Sequence, residues 1–235
     1  MAILQKEFYN RDTVEVAQDL LGRVLVRRLN HIALAGRIVE TEAYIGRCDK
    51  ACHAYPNRRT PRTEALYLPP GHAYIYLVYG MHHCLNLVTE AENEPAAVLI
   101  RALQPVAGEN IMYRLRYGEK PLTSARKRGL CDGPGKLCQA MGLTREENGI
   151  SLTGNILFVC DAPSDFLSPE NPYDISTKDL RAFQESSGNI SPENLHEDNF
   201  PRILPGETIT ASPRIGIDYA EEARFFPWRF RLMKS

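Results

Sequence analysis

Two carboxylates and a phenol occupy one face of a strand that the sequence predicts at residues 32–45. Glu40, Glu42 and Tyr44 alternate there with small or apolar residues, and alternate side chains of a strand point to the same side. A carboxylate held on such a rigid element can act as a general base that takes a proton from water. The alternative is a solvent-exposed strand face with two surface glutamates, which the periodicity alone favours.

Three tyrosines cluster further along the chain. Strands are predicted at residues 72–78 and 84–88, and Tyr74 and Tyr76 share a face of the first of them. Tyr79 lies at the predicted tip between the two strands. An aromatic side chain at an exposed tip can insert between stacked bases through the minor groove of DNA. The alternative is a tyrosine folded back onto the sheet.

The segment 133–136 (GPGK) places a lysine after two glycines at the predicted start of a helix. It departs from the phosphate loop of nucleotide-binding proteins, because Leu130 occupies the first glycine position and Leu137 follows the lysine. A helix N-terminus with glycine and lysine can nevertheless bind one backbone phosphate. An ordinary helix start after a tight turn is the alternative.

Cysteine and histidine side chains raise the question of a zinc site. The candidates are Cys48, Cys52, His53, His82, His83 and Cys84. A structural zinc site uses two ligand pairs, each with about two to four intervening residues. Only the first two cysteines fit, because three consecutive residues cannot easily direct two side chains at one ion. No metal is therefore predicted, and the cysteines are expected to be reduced thiols.

The composition is that of a globular protein. The chain has 235 residues, of which 43% are hydrophobic, and this excludes a wholly disordered chain, which lacks the apolar surface to fold. No stretch of about 18 apolar residues suggests a membrane span, and no apolar region near the N-terminus suggests a signal peptide. We expect one domain over residues 1–235.

Charge is unevenly distributed along the chain. The net charge is −1, but residues 160–208 contain 3 basic and 10 acidic residues, so the rest carries a net charge of +6. A basic body with an acidic surface insertion at about 161–207 is compatible with a polyanionic partner. An ordinary soluble enzyme with one acidic loop is the alternative, which charge alone favours.

Helices, strands and one long loop must position these residues. The predicted helices cover residues 10–22, 109–116, 123–128, 133–142 and, within the insertion, 177–184. The predicted strands cover residues 23–29, 32–45, 72–78, 84–88, 96–102, two within 150–159, 208–217 and 225–233. The loop at 46–71 is too long for a simple connection, and such loops are usually functional.

Together these segments resemble the alkyladenine (3-methyladenine) DNA glycosylase family. The matching motifs run in the family's order over nearly the whole chain: 37–44 (RIVETEAY), His53, 58–62 (RRTPR), 70–71 (PG), 74–76 (YIY), 79–81 (YGM), Asn86, 99–103 (LIRAL), 133–139 (GPGKLCQ) and 212–216 (SPRIG). The resemblance implies a mixed α/β (α+β) fold, a single domain around a curved antiparallel β-sheet with flanking helices. It excludes a helix-hairpin-helix glycosylase.

The resemblance also implies roles for individual residues. Glu42 would deprotonate the water that attacks C1′ of the damaged nucleotide, while Arg101 and the backbone of Ile215 would hold that water. Tyr44, His53 and Tyr76 would sandwich the flipped base, and Asn86 would exclude guanine. The residues implied to contact DNA are Tyr79, which would fill the gap in the duplex, and Met81, Arg58, Thr60, Arg62, Lys136 and Arg214. Glu40 would be structural.

The implied function is a monofunctional glycosylase that flips alkylated or deaminated purines out of duplex DNA. It would hydrolyse the N-glycosidic bond without cofactor or strand cleavage, and leave an abasic site for base excision repair. Its partner would be double-stranded DNA, and the protein would be a monomer in the bacterial cytoplasm and nucleoid, or in the nucleus of a eukaryote. A lesion-binding module without catalysis and a zinc-dependent hydrolase remain as alternatives.

Overall fold

A computed structural model describes residues 2–29, 32–161 and 202–234. The helices are α1 (Lys6–Tyr9), α2 (Thr13–Asp19), α3 (Glu109–Tyr117), α4 (Ser124–Arg128) and α5 (Pro134–Ala140). The strands are β1 (Val24–Leu29), β2 (Ile32–Ile45), β3 (Ala73–Val78), β4 (His82–Val88), β5 (Ala96–Ala107), β6 (Leu157–Cys160), β7 (Glu207–Ser212) and β8 (Arg229–Lys234). Short 3-10 helices occupy Glu64–Tyr67, Arg145–Glu147 and Glu221–Phe225.

The eight strands of the described residues form one antiparallel sheet. Six of them follow the order β3-β4-β5-β2-β1-β6, β8 pairs with β2, and β7 pairs with β8. The long strand β2 pairs with β5 along one edge. Along its other edge, the first half of β2 pairs with β1, and Glu40–Glu42 pair with β8. The register between β2 and β5 shifts around Ile38 and Glu40, and such irregularities bend a strand and increase its twist. The sheet curls accordingly, and the mixed α/β fold class predicted from the sequence is confirmed.

Helices α2, α3 and α5 pack against this sheet, and α2 fixes the position of β2. Asp12 accepts hydrogen bonds from the first turn of α2, so this helix has a side-chain N-cap. Val16 and Ala17 of α2 are fully buried in the main core. The Thr41 hydroxyl donates to the carbonyl of Ala17 at 2.7 Å, which ties β2 to α2 beside Glu42.

Several predicted elements are shorter in the structure than in the sequence analysis. The strand predicted at 208–217 ends at Ser212 because Pro213 follows and cannot donate to the ladder. The strand predicted at 225–233 begins only at Arg229, after Pro227. Within 150–159, only β6 is a strand, and Ser151 forms a single bridge to His72. Most of the acidic insertion, with its predicted helix, lies outside the described residues.

Candidate active site

Glu42 is a fully buried carboxylate in the middle of the sheet. Its side chain has 0% exposure, so the interpretation as a surface glutamate is wrong. Three donors surround it: the Tyr44 hydroxyl donates to Oε2 at 2.7 Å, the backbone N–H of Ile215 donates to Oε1 at 2.9 Å, and Arg101 Nη1 lies 3.3 Å from Oε2. Each carboxylate oxygen carries two lone pairs. Tyr44 and Arg101 occupy those of Oε2, and Ile215 occupies one of Oε1, so one lone pair of Oε1 remains to accept a proton from water.

Burial raises the pKa of Glu42 above its ordinary value, although Arg101, Tyr44 and Ile215 oppose the shift. Desolvation acts against the charged form, whereas the three donors act for it. A carboxylate with a raised pKa is a stronger proton acceptor than an ordinary glutamate, which is the property that a general base needs.

Glu40 occupies the same strand face in a different environment. Arg101 Nε, Arg229 Nε and Arg231 Nε lie 3.0, 2.6 and 3.4 Å from its carboxylate oxygens. Three guanidinium groups therefore surround this carboxylate and hold it in an ion-pair network. Arg101 therefore lies between the two glutamates, and both Arg101 and the backbone of Ile215 contact Glu42 directly. That these two groups also hold the attacking water stays a prediction.

Aromatic side chains line a cavity of about 420 Å³. Glu42 does not itself line this cavity, but Tyr44, Arg101 and Ile215, which contact its carboxylate, do. The ring of His53 lies 4.5 Å from that of Tyr76 in an edge-on arrangement, and Tyr44 lines the same cavity. The predicted residues Tyr44, His53, Tyr76, Asn86, Arg101 and Ile215 are thus brought together. A flat, π-rich ligand would fit such walls, and a cationic one would gain from them about 0.5–2 kcal/mol.

Tyr74 also lines the cavity, and sequence reasoning assigned it no role. Its hydroxyl lies 3.0 Å from Nδ1 of His53, and its ring centroid lies 5.2 Å from that of Tyr76. The signal was present in the sequence, because Tyr74 shares a strand face with Tyr76. Tyr219 at the rim is a second missed residue, and no spacing in the sequence points to it.

His53 is held in its neutral form. Burial, with a smaller effect of the Arg62 charge, lowers the pKa of His53 to about 4. Arg62 Nη2 lies 3.4 Å from Nε2 of His53, which favours the tautomer in which Nδ1 donates to Tyr74. The imidazole therefore presents an uncharged ring to the cavity at neutral pH.

The tip between β3 and β4 projects Tyr79 into solvent with 88% exposure, and Met81 with 68%. Both Tyr79 and Gly80 have positive φ angles, and the N–H of Met81 donates to the carbonyl of Val78. These features define the tight turn that matches the twist of a hairpin. The interpretation of Tyr79 as folded back onto the sheet is therefore wrong, since the exposed ring stands at the rim of the cavity.

The cations predicted to contact DNA divide into exposed and buried groups. Arg58, Arg62 and Lys136 are exposed, and Thr60 is half-buried with its hydroxyl 3.1 Å from that of Thr63. Arg214 is only 5% exposed, and its guanidinium forms an ion pair with the buried carboxylate of Asp49. The prediction of Arg214 as a DNA contact is therefore wrong, because its polar atoms face the protein interior.

The residues considered for zinc do not assemble into a ligand set. Within residues 2–29, 32–161 and 202–234, no group of three or more His, Cys, Asp and Glu side chains could hold a metal ion. Cys52, His53 and Cys84 line the cavity, whereas His82 is exposed. In the same part of the chain, no helix has the length and apolar character needed to cross a membrane.

Comparison with known proteins adds an independent observation. Residues 7–178 match the family model described as methylpurine-DNA glycosylase. A relative from Clostridium perfringens is 43% identical over 97% of this chain and 94% of its own length, and one from Bacillus cereus is 44% identical over 95% and 92%. Both carry the name "Putative 3-methyladenine DNA glycosylase". The site described above thus lies in a chain that belongs to the methylpurine-DNA glycosylase family.

Proposed function

We propose that this protein is a monofunctional DNA glycosylase for alkylated and deaminated purines. Its substrates are duplexes that contain bases of the 3-methyladenine, 7-methylguanine, ethenoadenine and hypoxanthine class. The observation that carries the proposal is a buried carboxylate, Glu42, beside an aromatic cavity with an exposed tyrosine at its rim. The protein acts as a monomer and without a cofactor.

Base flipping supplies access to the glycosidic bond. An enzyme that acts on a base within a duplex must take it out of the stack, and a damaged base leaves the stack more easily than a normal one. The cavity walls of Tyr44, His53 and Tyr76 receive the flipped base, and Tyr79 fills the space that it leaves. Asn86, almost fully buried, donates from Nδ2 to the carbonyl of Tyr74 at 3.1 Å, so its amide stands rigidly where the base enters.

Hydrolysis follows from the position of Glu42. Its carboxylate takes a proton from a water molecule and the water oxygen bonds to C1′. The bond between C1′ and the purine nitrogen breaks with its electron pair on the nitrogen, so that a cationic alkylated purine leaves as the neutral base and an uncharged lesion leaves as an anion that solvent protonates. The negative charge of Glu42 also stabilises positive charge that develops on the sugar. No lysine lines the described part of the cavity, so no amine is at hand for the covalent imine through which strand-cleaving glycosylases act.

A panel of duplexes tests this function. Each duplex carries one damaged purine, and the released base is identified by chromatography and mass, with the undamaged duplex as control. We expect release of free purine bases from several lesions and none from the control. Tight lesion binding without release of any base would instead support the alternative of a lesion-binding module.

Replacing Asn86 by serine should widen the base selectivity. The shorter side chain removes the amide that would contact the exocyclic amine of guanine, and specificity built on steric exclusion relaxes when the excluding group is removed. We expect measurable release of guanine or of N2-bearing lesions. Asn148→Ser is the matched control, because Asn148 bonds the N–H of Ile75 and does not line the cavity. Unchanged selectivity in Asn86→Ser would refute its role as a filter.

Chelation with EDTA should leave excision unchanged. The proposed mechanism activates water with the Glu42 carboxylate, so it does not need a metal ion to lower the pKa of that water. The measurement is the single-turnover excision rate before and after dialysis against EDTA, together with metal analysis of the active protein. Stoichiometric zinc whose removal abolishes the activity would contradict the mechanism and favour a zinc-dependent hydrolase.

A further inference from the structure

A second buried ion pair lies immediately behind the proposed catalytic carboxylate. Arg214 and Asp49 both have side chains with 0% exposure, and Arg214 Nη2 donates to Oδ1 of Asp49 at 2.8 Å while Nη1 donates to Oδ2. This two-pronged geometry is the strong, orienting form of an ion pair. Neither group reaches the protein surface, so the pair cannot act by contacting the DNA backbone.

The pair holds together four segments of the chain. Arg214 Nη1 donates to the carbonyl of Ala43 on β2 at 2.8 Å, and Nη2 donates to the carbonyl of Ala223 in a 3-10 helix at 3.1 Å. Asp49 accepts from the N–H of Ala51 at 2.9 Å, in the loop that leads to His53. One guanidinium thereby joins the end of β2, the His53 loop, the segment after β7 and the helix at Glu221–Phe225.

Two groups of the proposed site depend on this junction. Ile215 follows Arg214 directly, and its N–H donates to Oε1 of Glu42. The guanidinium carbon of Arg214 also lies 4.6 Å from the ring centroid of Tyr44, whose hydroxyl donates to the other oxygen of Glu42. Two of the three donors on the carboxylate are therefore positioned by Arg214, one through the backbone and one through ring contact.

We propose that Arg214 and Asp49 are positioning residues that hold the donors of Ile215 and Tyr44 on the catalytic carboxylate. The inference rests on the proposed glycosylase function and deepens it, because it names residues that act on the reaction without contacting substrate. It replaces the role of DNA contact that the family resemblance implied for Arg214.

The proposal predicts how a displaced donor would alter the pH dependence. The charged and titratable groups that face Glu42 are Tyr44 and Glu40 on β2, Cys84 on β4, Arg101 on β5, Arg229 on β8, and Arg214. Loss of the Ile215 hydrogen bond removes a group that favours the carboxylate, so the pKa of Glu42 rises further. Since the base acts in its ionised form, the acid limb of kcat against pH should move to higher pH.

Arg214→Lys tests this directly. It keeps the positive charge but loses the planar guanidinium, which donates to both oxygens of Asp49 and to two backbone carbonyls. We expect kcat to fall by about 10²-fold, because even a small misplacement of a reacting group has an effect of this size. We also expect the acid limb of kcat to move to higher pH. Binding to lesion duplex should stay close to the wild-type affinity, because neither Arg214 nor Asp49 reaches the surface. An unchanged kcat with an unmoved acid limb in the folded variant would overturn the proposal.

Matched variants keep the test decisive if Arg214→Lys folds poorly. Asp49→Asn removes the carboxylate that orients the Arg214 guanidinium while preserving shape, and kcat should fall as it does in Arg214→Lys. Its acid limb is not used as a readout, because the unpaired charge of Arg214 by itself lowers the pKa of Glu42. Arg27→Lys disturbs another buried pair, Arg27–Glu147, at 2.6 Å and outside the cavity, and it should leave kcat and its acid limb unchanged. If Asp49→Asn leaves kcat at the wild-type value, as Arg27→Lys is expected to do, the positioning role is wrong.

The wild-type protein separates failure of this proposal from failure of the proposed function. Absence of base release by the wild type on every lesion duplex would reject the glycosylase function itself. Release by the wild type, with the wild-type rate in folded Arg214→Lys and Asp49→Asn and an unmoved acid limb in Arg214→Lys, would reject only the positioning role.

Discussion

Glu42→Gln should bind lesion-containing DNA as tightly as the wild type and excise the base about 10²–10⁴-fold more slowly, the typical contribution of a general base. The amide occupies nearly the same volume as the carboxylate, and the side chain has 0% exposure, so the DNA-binding surface does not change. The amide cannot accept the proton of water or offset positive charge on the sugar. The measurements are a single-turnover excision rate and a binding isotherm on the same duplex.

A second buried glutamate provides the control for this experiment. Glu147 bonds Arg27 at 2.6 Å and does not line the cavity. Glu147→Gln should therefore cost stability, read as a lower melting temperature, while the excision rate of the folded protein stays at the wild-type value. Excision by Glu42→Gln at that same rate would show that the proton acceptor lies elsewhere.

Removing three exposed cations together should reduce the salt dependence of DNA binding. If Arg58, Arg62 and Lys136 each neutralise one phosphate, the combined change to glutamine lowers the slope of log K against log salt by about 2.7, or about 0.9 for each contact. A full set of about 6–10 contacts weakens binding by about 10³–10⁵ between 50 and 200 mM salt. Affinity is to be measured on one duplex over a series of salt concentrations.

The control removes the same charge elsewhere on the surface. Lys6, Arg28 and Arg145 are exposed cations that do not line the cavity, and their combined change to glutamine should leave the slope close to that of the wild type. Equal reductions in the two triple variants would mean that net charge, and not these contacts, determines the salt dependence.

Local periodicity was sufficient to predict the elements that carry the site. The alternation in β2 places Glu42 and Tyr44 on one face, because side chains of a strand alternate regardless of what packs on them. The tip at Tyr79 and Gly80 was predictable for a similar reason, since adjacent strands and a glycine define a hairpin turn locally. The boundaries of β7 and β8 were misjudged where a proline interrupts an otherwise strand-like run.

Burial and long-range pairing could not be obtained in this way. Whether Glu42 faces solvent or the interior depends on β5, β8 and the segment after β7, which are far from it in sequence. The DNA contact that the family resemblance implied for Arg214 was wrong for the same reason, because Asp49, which binds its guanidinium, lies 165 residues away in the sequence. The role of Tyr74 could not be predicted locally, because its hydroxyl pairs with His53, which lies on a loop distant in sequence.

The most direct test of the central claim is the product of the wild-type protein acting on a methylated duplex that contains 3-methyladenine and 7-methylguanine. We expect free methylated purine in solution and strands that stay intact until heat or alkali cleaves them at the abasic site. No released base, or release only as nucleotides with immediate strand cleavage, would contradict the assignment of a monofunctional glycosylase.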